Sequence, residues 1–372
     1  MTLFNIHGAE GLAHSYSPQE VINKNVYGSN MGNMFFYGSV YNTISKNQNN
    51  VIDTSRKIED INRADYYLMP QANLFYKYFS KNIENHIHRL KKITTPTIIV
   101  GVGYQSSVGA DSVEREDPKL NKLVQEFVET ILNKSASIGV RGQITKNYLL
   151  NLGFAESDID VIGCPSIRFF GSKLKYPVKA YRSFSPDMKI AVNYTPTRFD
   201  KVWGSTISNI FSQYNNAFAI LQDKYEINNL KWKFPNVVLP EIPQKVQMVK
   251  DIIPVTPDHR VFKENKGRVF TDPNQWINSM KTFDFSIGTR IHGNIAAILA
   301  GIPALVIAID TRTLELAEYF KIPYVKLSDL NKYSNLETLY NKSVENMPKF
   351  YNNYTNVLKD YYRFFNKNGI VI

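Results

Sequence analysis

The chain has 372 residues, 43% of them hydrophobic, with 44 Lys and Arg against 33 Asp and Glu for a formal net charge of +11. That length suggests about two domains, and that apolar share excludes a disordered chain. The positive balance favours anionic partners such as nucleotides, phosphorylated donors or lipid headgroups, but the charges are scattered among Asn and Tyr without a zinc-finger or RNP-type motif, so nucleic acid is not expected.

In chain order, residues 64–70 (ADYYLMP) and 95–102 (TPTIIVGV) read as buried strands. Residues 118–133 place Leu120, Leu123, Val124, Phe127, Val128 and Ile131 at helical spacing on one face. Residues 136–140 form another strand, 143–152 a helix ended by Gly153, and 159–163 a short strand. The pattern lapses over 171–187 (GSKLKYPVKAYRSFSPD), where a domain linker is expected, and resumes from Lys189 to about 327. Residues 336–366 read as helices without a core of their own, which pack back across the first domain. The expected fold is α/β with mostly parallel sheets, divided into 1–175, 186–335 and a helical tail at 336–372.

Cys164 is the only cysteine, so no internal disulfide forms, which suits a reducing compartment. The start, MTLFNIHGAEGLAHSYS, lacks the basic and apolar regions of a secretory signal. No apolar run approaches the ~20 residues needed to span a bilayer. A cytoplasmic protein is expected, and its charge is compatible with peripheral contact at the anionic inner face of the cell membrane.

The segment Phe283–Ile309 carries the strongest functional signal: a short apolar strand, a polar turn with Arg290 and His292, a small-residue helix, a Gly-Ile-Pro break and a second strand. Ligands of open α/β sheets bind at the carboxyl ends of strands. A helix N-terminus there offers free N–H groups to an anion, a guanidinium adds a charged fork, and an imidazole moves protons near neutral pH. The bland readings stand beside these. A lone histidine at a strand end is most often simply hydrogen-bonded. Arg290 fits an ordinary ion pair, although a cation entering a helix N-terminus needs an anion to offset the dipole. Arg141 and Arg312 read equally well as solvated charges. Asp310 reads as a helix N-cap and Cys164 as an inert core thiol. His86 and His88 are two apart and share no helical face, so no metal site is expected there. Gly101-Val102-Gly103 lacks the third glycine of a dinucleotide fingerprint.

Several segments, in order and spacing, are similar to one family. They are Asn30-Met31-Gly32-Asn33, Gly101-Val102-Gly103-Tyr104-Gln105, Ser137 to Gly142, Val161 to Ser166, Arg290-Ile291-His292-Gly293, Ala300 to Pro303, and Ile309 to Thr313 leading into Leu316 to Phe320. From about residue 28 to 327 the chain resembles the polysaccharide pyruvyl transferases. The resemblance implies two Rossmann-like domains facing a cleft, as in GT-B glycosyltransferases. It implies transfer of a pyruvyl group from phosphoenolpyruvate to two hydroxyls of a sugar, giving a ketal, with no metal and no cofactor besides the donor substrate. His292 is then catalytic. Arg290, Ile291, Gly293 and, from the other domain, Arg141 bind the donor, with Arg312 and Gln105 supporting them. The acceptor would be a nucleotide-linked, lipid-linked or polymeric sugar of a cell-surface glycan. Relatives often carry leucine in place of Ile291, and usually an acidic residue where this chain has Asn33, so Asn33 receives no catalytic part. Two rival readings remain. A glycosyltransferase using a nucleotide sugar would need a ribose-binding carboxylate, for which Glu315 and Glu318 are the candidates, although both suit an ordinary helix. A catalytically silent glycan-binding protein would be expected to have lost Arg290 or His292, and both are present.

Overall fold

The computed structural model of the chain describes residues 1–28, 30–106, 117–175, 177, 181–196, 200–227, 230, 254 and 256–372. Its strands lie in two six-stranded sheets. The first holds β1 (Thr2–Ile6), β2 (Asn50–Asp53), β3 (Tyr66–Pro70), β4 (Thr97–Val102), β5 (Ile138–Val140) and β6 (Ile159–Val161), in the order β2-β1-β3-β4-β5-β6. The second holds β7 (Ile190–Asn193), β8 (Ala217–Ile220), β9 (Gly267–Arg268), β10 (Phe285–Gly288), β11 (Ala304–Ala308) and β12 (Tyr324–Lys326), in the order β12-β11-β10-β7-β8-β9. Every pairing is parallel. β4 and β11 are buried at every position, as continuous apolar runs must be when helices cover both faces of a parallel sheet. The α/β architecture with parallel sheets expected from the sequence is the one observed.

Six helices position the site: α1 (Asn33–Ser45), α2 (Pro118–Leu132), α3 (Gln143–Asn151), α4 (Ile291–Leu299), α5 (Thr311–Phe320) and α6 (Leu336–Lys367). In α2 the Asp117 carboxylate accepts from the N–H groups of Lys119 and Leu120, each at 3.1 Å, Pro118 opens the first turn, and Leu120, Val124, Phe127, Val128 and Ile131 are buried.

Two departures from the sequence reading concern the ends of the chain. β1 and β2 were not anticipated, and β1 sits inside the first sheet between β2 and β3. The tail is one helix, α6, rather than several; it runs through Pro348. A proline inside a helix costs about 3 kcal/mol, and burial on both sides of it, at Leu339, Tyr340, Met347, Phe350, Tyr354 and Tyr361, offsets that cost. From Leu336 to Leu358 α6 joins the core of the second sheet, while Tyr361, Phe364 and Phe365 close over Phe4, Leu68 and Val100 of the first. Part of the expected linker at 171–187 lies outside the described residues.

The sheets are also joined by a shared core. Met34, Phe35 and Phe36 of α1 belong to the same apolar cluster as β7, β10 and β11, and the Phe35 ring lies 5.1 Å from that of Trp276. Among the described residues no helix is long and apolar enough to cross a membrane.

Candidate functional site

β10 ends at Gly288 and α4 begins at Ile291, so Thr289 and Arg290 form the connection at the carboxyl end of the strand. β10 and β7 are the neighbours between which the second sheet's strand order reverses, the position where open α/β sheets bind ligands. Asn193, the last residue of β7, sets the tightness of this turn. Gly288 has φ +154°, and a Cβ there would lie 1.7 Å from the Asn193 carbonyl oxygen; a Cβ at Gly293 would lie 1.6 Å from Asn193 Oδ1. Asn193 Nδ2 donates to Ser286 Oγ (2.9 Å), Ser286 Oγ donates to Asn294 Oδ1 (2.9 Å), and Asn294 Nδ2 donates to the Gly288 carbonyl (3.0 Å). This buried polar network holds the turn that presents Arg290 and His292.

His292 is 6% exposed. Its Nε2 lies 3.8 Å from Cys164 Sγ, and its ring centre 5.9 Å from that of Phe36. Burial, and then the charges of Arg141, Arg312 and Arg290, hold the imidazole well below its ordinary value, so it is neutral at pH 7. Arg290 donates from Nε to the Tyr194 carbonyl at 3.2 Å and from Nη2 to Asp223 Oδ2. Asp223 is thus a protein anion that offsets a cation at the N-cap of α4. Behind it the buried Glu226 carboxylate accepts from the N–H groups of Gln222 (3.0 Å) and Asp223 (2.7 Å). Burial, with Asp223 beside it, pushes Glu226 well above the usual carboxylate range.

The first sheet supplies Arg141, just after β5 and 1% exposed. Its Nε donates to the Gly101 carbonyl at 2.9 Å, and its Nη2 lies 4.0 Å from Cys164 Sγ. Gly103 makes room for it: a Cβ there would lie 2.7 Å from Arg141 Cδ. Arg312, in the first turn of α5, donates to Asp310 Oδ2 at 3.2 Å, while Asp310 caps that helix by accepting from Thr313 N at 2.9 Å. Gln105 Oε1 accepts from Asn73 Nδ2. Arg141, Arg290, Ile291, His292, Arg312 and Gln105 all line one cleft of about 870 Å³ between the two sheets. Gly293 does not line it; its part is to admit Asn193.

Three residues play parts that sequence reasoning did not assign. Cys164 is buried as expected, but its Sγ lies against both His292 Nε2 and Arg141 Nη2 rather than in an uninvolved core. Glu315 is more than a residue of an ordinary helix. Its carboxylate reaches from α5 to the first turn of α3, accepting from Thr145 N (2.9 Å) and Thr145 Oγ1 (2.8 Å). Burial pushes it up to about 7, against the pull of those bonds and of Arg141. One turn earlier Thr311 N donates to the Ser106 carbonyl (3.0 Å) and Thr311 Oγ1 accepts from Ser106 N (2.9 Å), so one face of α5 clasps the first sheet twice. Asp223 is the third. No local pattern marks these residues, because their partners lie far away in sequence. His86 and His88 sit on a helix outside the cleft, one half-buried and one exposed.

The family model for polysaccharide pyruvyl transferase matches residues 30–311, a span that holds Arg141, Arg290 and His292. The chain belongs to the polysaccharide pyruvyl transferase family. Membership makes it a transferase of polysaccharide biosynthesis. A comparison with curated proteins returns no match. Among solved structures, the chain is similar to Anabaena Alr3699/HepE in complex with UDP-glucose, at 11% identity over 98% of each chain with a TM-score of 0.47. It is similar to S. aureus MnaA with UDP at 11% identity over 96% of this chain and 97% of that one, TM-score 0.45. It is also similar to an uncharacterised protein of Klebsiella pneumoniae at 12% identity over 78% and 84%, TM-score 0.43.

Proposed function

We propose that the cleft moves the pyruvyl group of phosphoenolpyruvate onto two hydroxyls of one sugar in a cell-surface polysaccharide or its nucleotide- or lipid-linked precursor, forming a ketal. The observation that carries this reading is the meeting of Arg141, Arg290 and Arg312 around one neutral imidazole in a single cleft. A donor with a phosphate and a carboxylate needs several cations and N–H groups. The guanidiniums and the first turn of α4 supply them, so binding is expected without a divalent metal.

The chemistry needs two additions. One hydroxyl adds to the carbon bearing the phosphate as the methylene carbon gains a proton and becomes methyl. The second hydroxyl then displaces phosphate, and its proton leaves with the phosphate, so no net proton is consumed. His292 gives the first proton and regains it from the first hydroxyl. The donor's negative charge opposes the three guanidiniums and raises the imidazole toward the range where it carries that proton. Asp223, the only carboxylate among the described residues lining the cleft, stands in the same wall to take the second hydroxyl's proton and pass it to the departing phosphate. The guanidiniums stabilise the charge on the departing phosphate.

The direct test incubates the protein with phosphoenolpyruvate and candidate acceptors, with and without a chelator, and looks by mass spectrometry for a pyruvyl ketal. A product that forms only without chelator rejects the metal-free reading. Tight binding of a nucleotide sugar with none of phosphoenolpyruvate rejects the donor assignment.

A further inference from the structure

The cleft is larger than the donor requires. Its volume of about 870 Å³ falls in the upper part of the roughly 300–1,000 Å³ range of pockets that enclose drug-sized ligands, and a three-carbon phosphate ester fills little of it. The wall facing the Arg290 turn comes from the segment after β3 and has a different chemistry. Leu74 and Phe75 are buried and root this segment, with Phe75 packed edge-on against Phe127 at 5.9 Å. The backbone is pinned to the loop after β4, with Gly103 N donating to the Ala72 carbonyl at 2.7 Å and Gln105 N to the Phe75 carbonyl at 3.0 Å. Tyr76, Tyr78 and Phe79 then turn into the cleft. Tyr76 meets Tyr78 at 5.1 Å and Phe79 at 5.5 Å, both edge-on. Tyr78 is 73% exposed and is the only aromatic residue among the exposed large hydrophobic side chains of the described residues. Beside these rings lies the Asn73–Gln105 amide pair.

We infer that Tyr78, set on Tyr76 and Phe79 and flanked by the Asn73–Gln105 pair, is the subsite that holds the acceptor sugar ring, which rests on the pyruvyl-transfer reading for what happens to that sugar. An exposed ring fixed by its neighbours offers an apolar face to the C–H face of a pyranose at small cost in side-chain entropy. Two paired amides offer donors and acceptors that read hydroxyl positions. The residues of this segment that line the cleft are Ala72, Asn73, Tyr76, Tyr78 and Phe79, none of them charged. Lys77 Nζ lies 5.5 Å from the Tyr78 ring centre and adds a hydrogen-bond donor beside the ring, while the opposite wall carries the cations that suit the donor. The acceptor is therefore a hexose or N-acetylhexosamine residue stacked across the cleft from Arg290 and His292.

The test is binding of the full-length protein to a printed array of oligosaccharides ending in glucose, galactose, mannose, glucosamine and their N-acetyl forms, without phosphoenolpyruvate. Wild type is expected to bind at least one terminal sugar, Tyr78→Ala to bind it about tenfold more weakly, and Tyr78→Phe to match wild type. Phosphoenolpyruvate affinity should be the same in all three, which also shows that the variants are folded. Absence of any array binding by wild type, equal binding by Tyr78→Ala, or loss of binding on adding uridine 5′-monophosphate, which would mark a nucleobase platform, each overturns the inference. Sugar binding that depends on Tyr78, in a protein that yields no ketal, sustains the subsite and removes the pyruvyl-transfer reading instead.

Discussion

Both sheets line the cleft from several strand ends: the second brings four consecutive residues, Thr289, Arg290, Ile291 and His292, from one short turn after β10, with Thr195 after β7, Gln222 and Asp223 after β8 and Arg312 after β11, whereas the first brings the 72–79 segment after β3, Gln105 after β4 and Arg141 after β5. The turn is dense and charged, and Asn193 and two glycines hold it to one conformation. The opposite wall is mostly amides and aromatic rings. A small, multiply charged donor is best met by closely spaced, fixed groups. A larger, neutral sugar suits a broad, weakly polar wall. Arg141 is the exception on the first side, and it reaches the site because Gly103 lets its stem pass toward Cys164 and His292.

The largest effect that would sharpen this contrast belongs to His292. Its replacement by Gln should lower turnover by about 10²–10⁴, the usual range for a general acid or base, while calorimetry finds phosphoenolpyruvate binding largely kept. Near-normal turnover would move the chemistry away from the second sheet. Next comes the donor clamp. Arg290→Ala and Arg141→Ala should each weaken donor binding by on the order of tenfold or more, since a charge-assisted hydrogen bond is worth about 1.5–3 kcal/mol. If only the Arg290 variant loses affinity, the donor belongs to the second sheet alone and the division between the walls is complete.

A third expectation concerns the clasp rather than the chemistry. Glu315→Ala leaves the buried Thr145 N–H and hydroxyl without their carboxylate. It should lower stability by about 1–3 kcal/mol, read by thermal unfolding, and because Glu315 adjoins Arg141 it should also raise the donor KM. A stability loss with an unchanged KM would mean that α5 holds the sheets together without setting Arg141.

The smallest effect is in the pH dependence. His292 is depressed below its ordinary value of 6.5, so the unfolded state binds the proton more readily and the stability contributed above pH 6.5 is lost as the pH falls below it. Wild type should therefore lose more stability than His292→Gln between pH 6.5 and 5. His7, held by burial at about 3, adds acid sensitivity of the same sign to both proteins and cancels in the difference. Donor binding should reverse the shift, so calorimetry at pH 6 in buffers of different ionisation enthalpy should find more proton uptake by wild type than by His292→Gln, the donor phosphate's own titration being common to both.

Much of this molecule was legible in the linear chain. The helical spacing of α2, the unbroken apolar run of β11, the Asp310 cap and the turn carrying Arg290 and His292 each depend on residues within a few positions of one another, where period, caps and turn chemistry act directly. β2 is not legible because it is an edge strand, NVID, with no buried position, and β1 because Asn5 interrupts its short apolar run. α6 read as several helices because Pro348 is a local stop signal that only packing overrides. The partners of the site residues were decided by the tertiary structure alone. Asp223 meets Arg290 across 67 positions, Cys164 meets His292 across 128, and Glu315 meets Thr145 across 170. The physical reason is that a side chain's type states what it can bond, while burial of two separate sheets against shared apolar residues determines which groups lose water together and must satisfy one another.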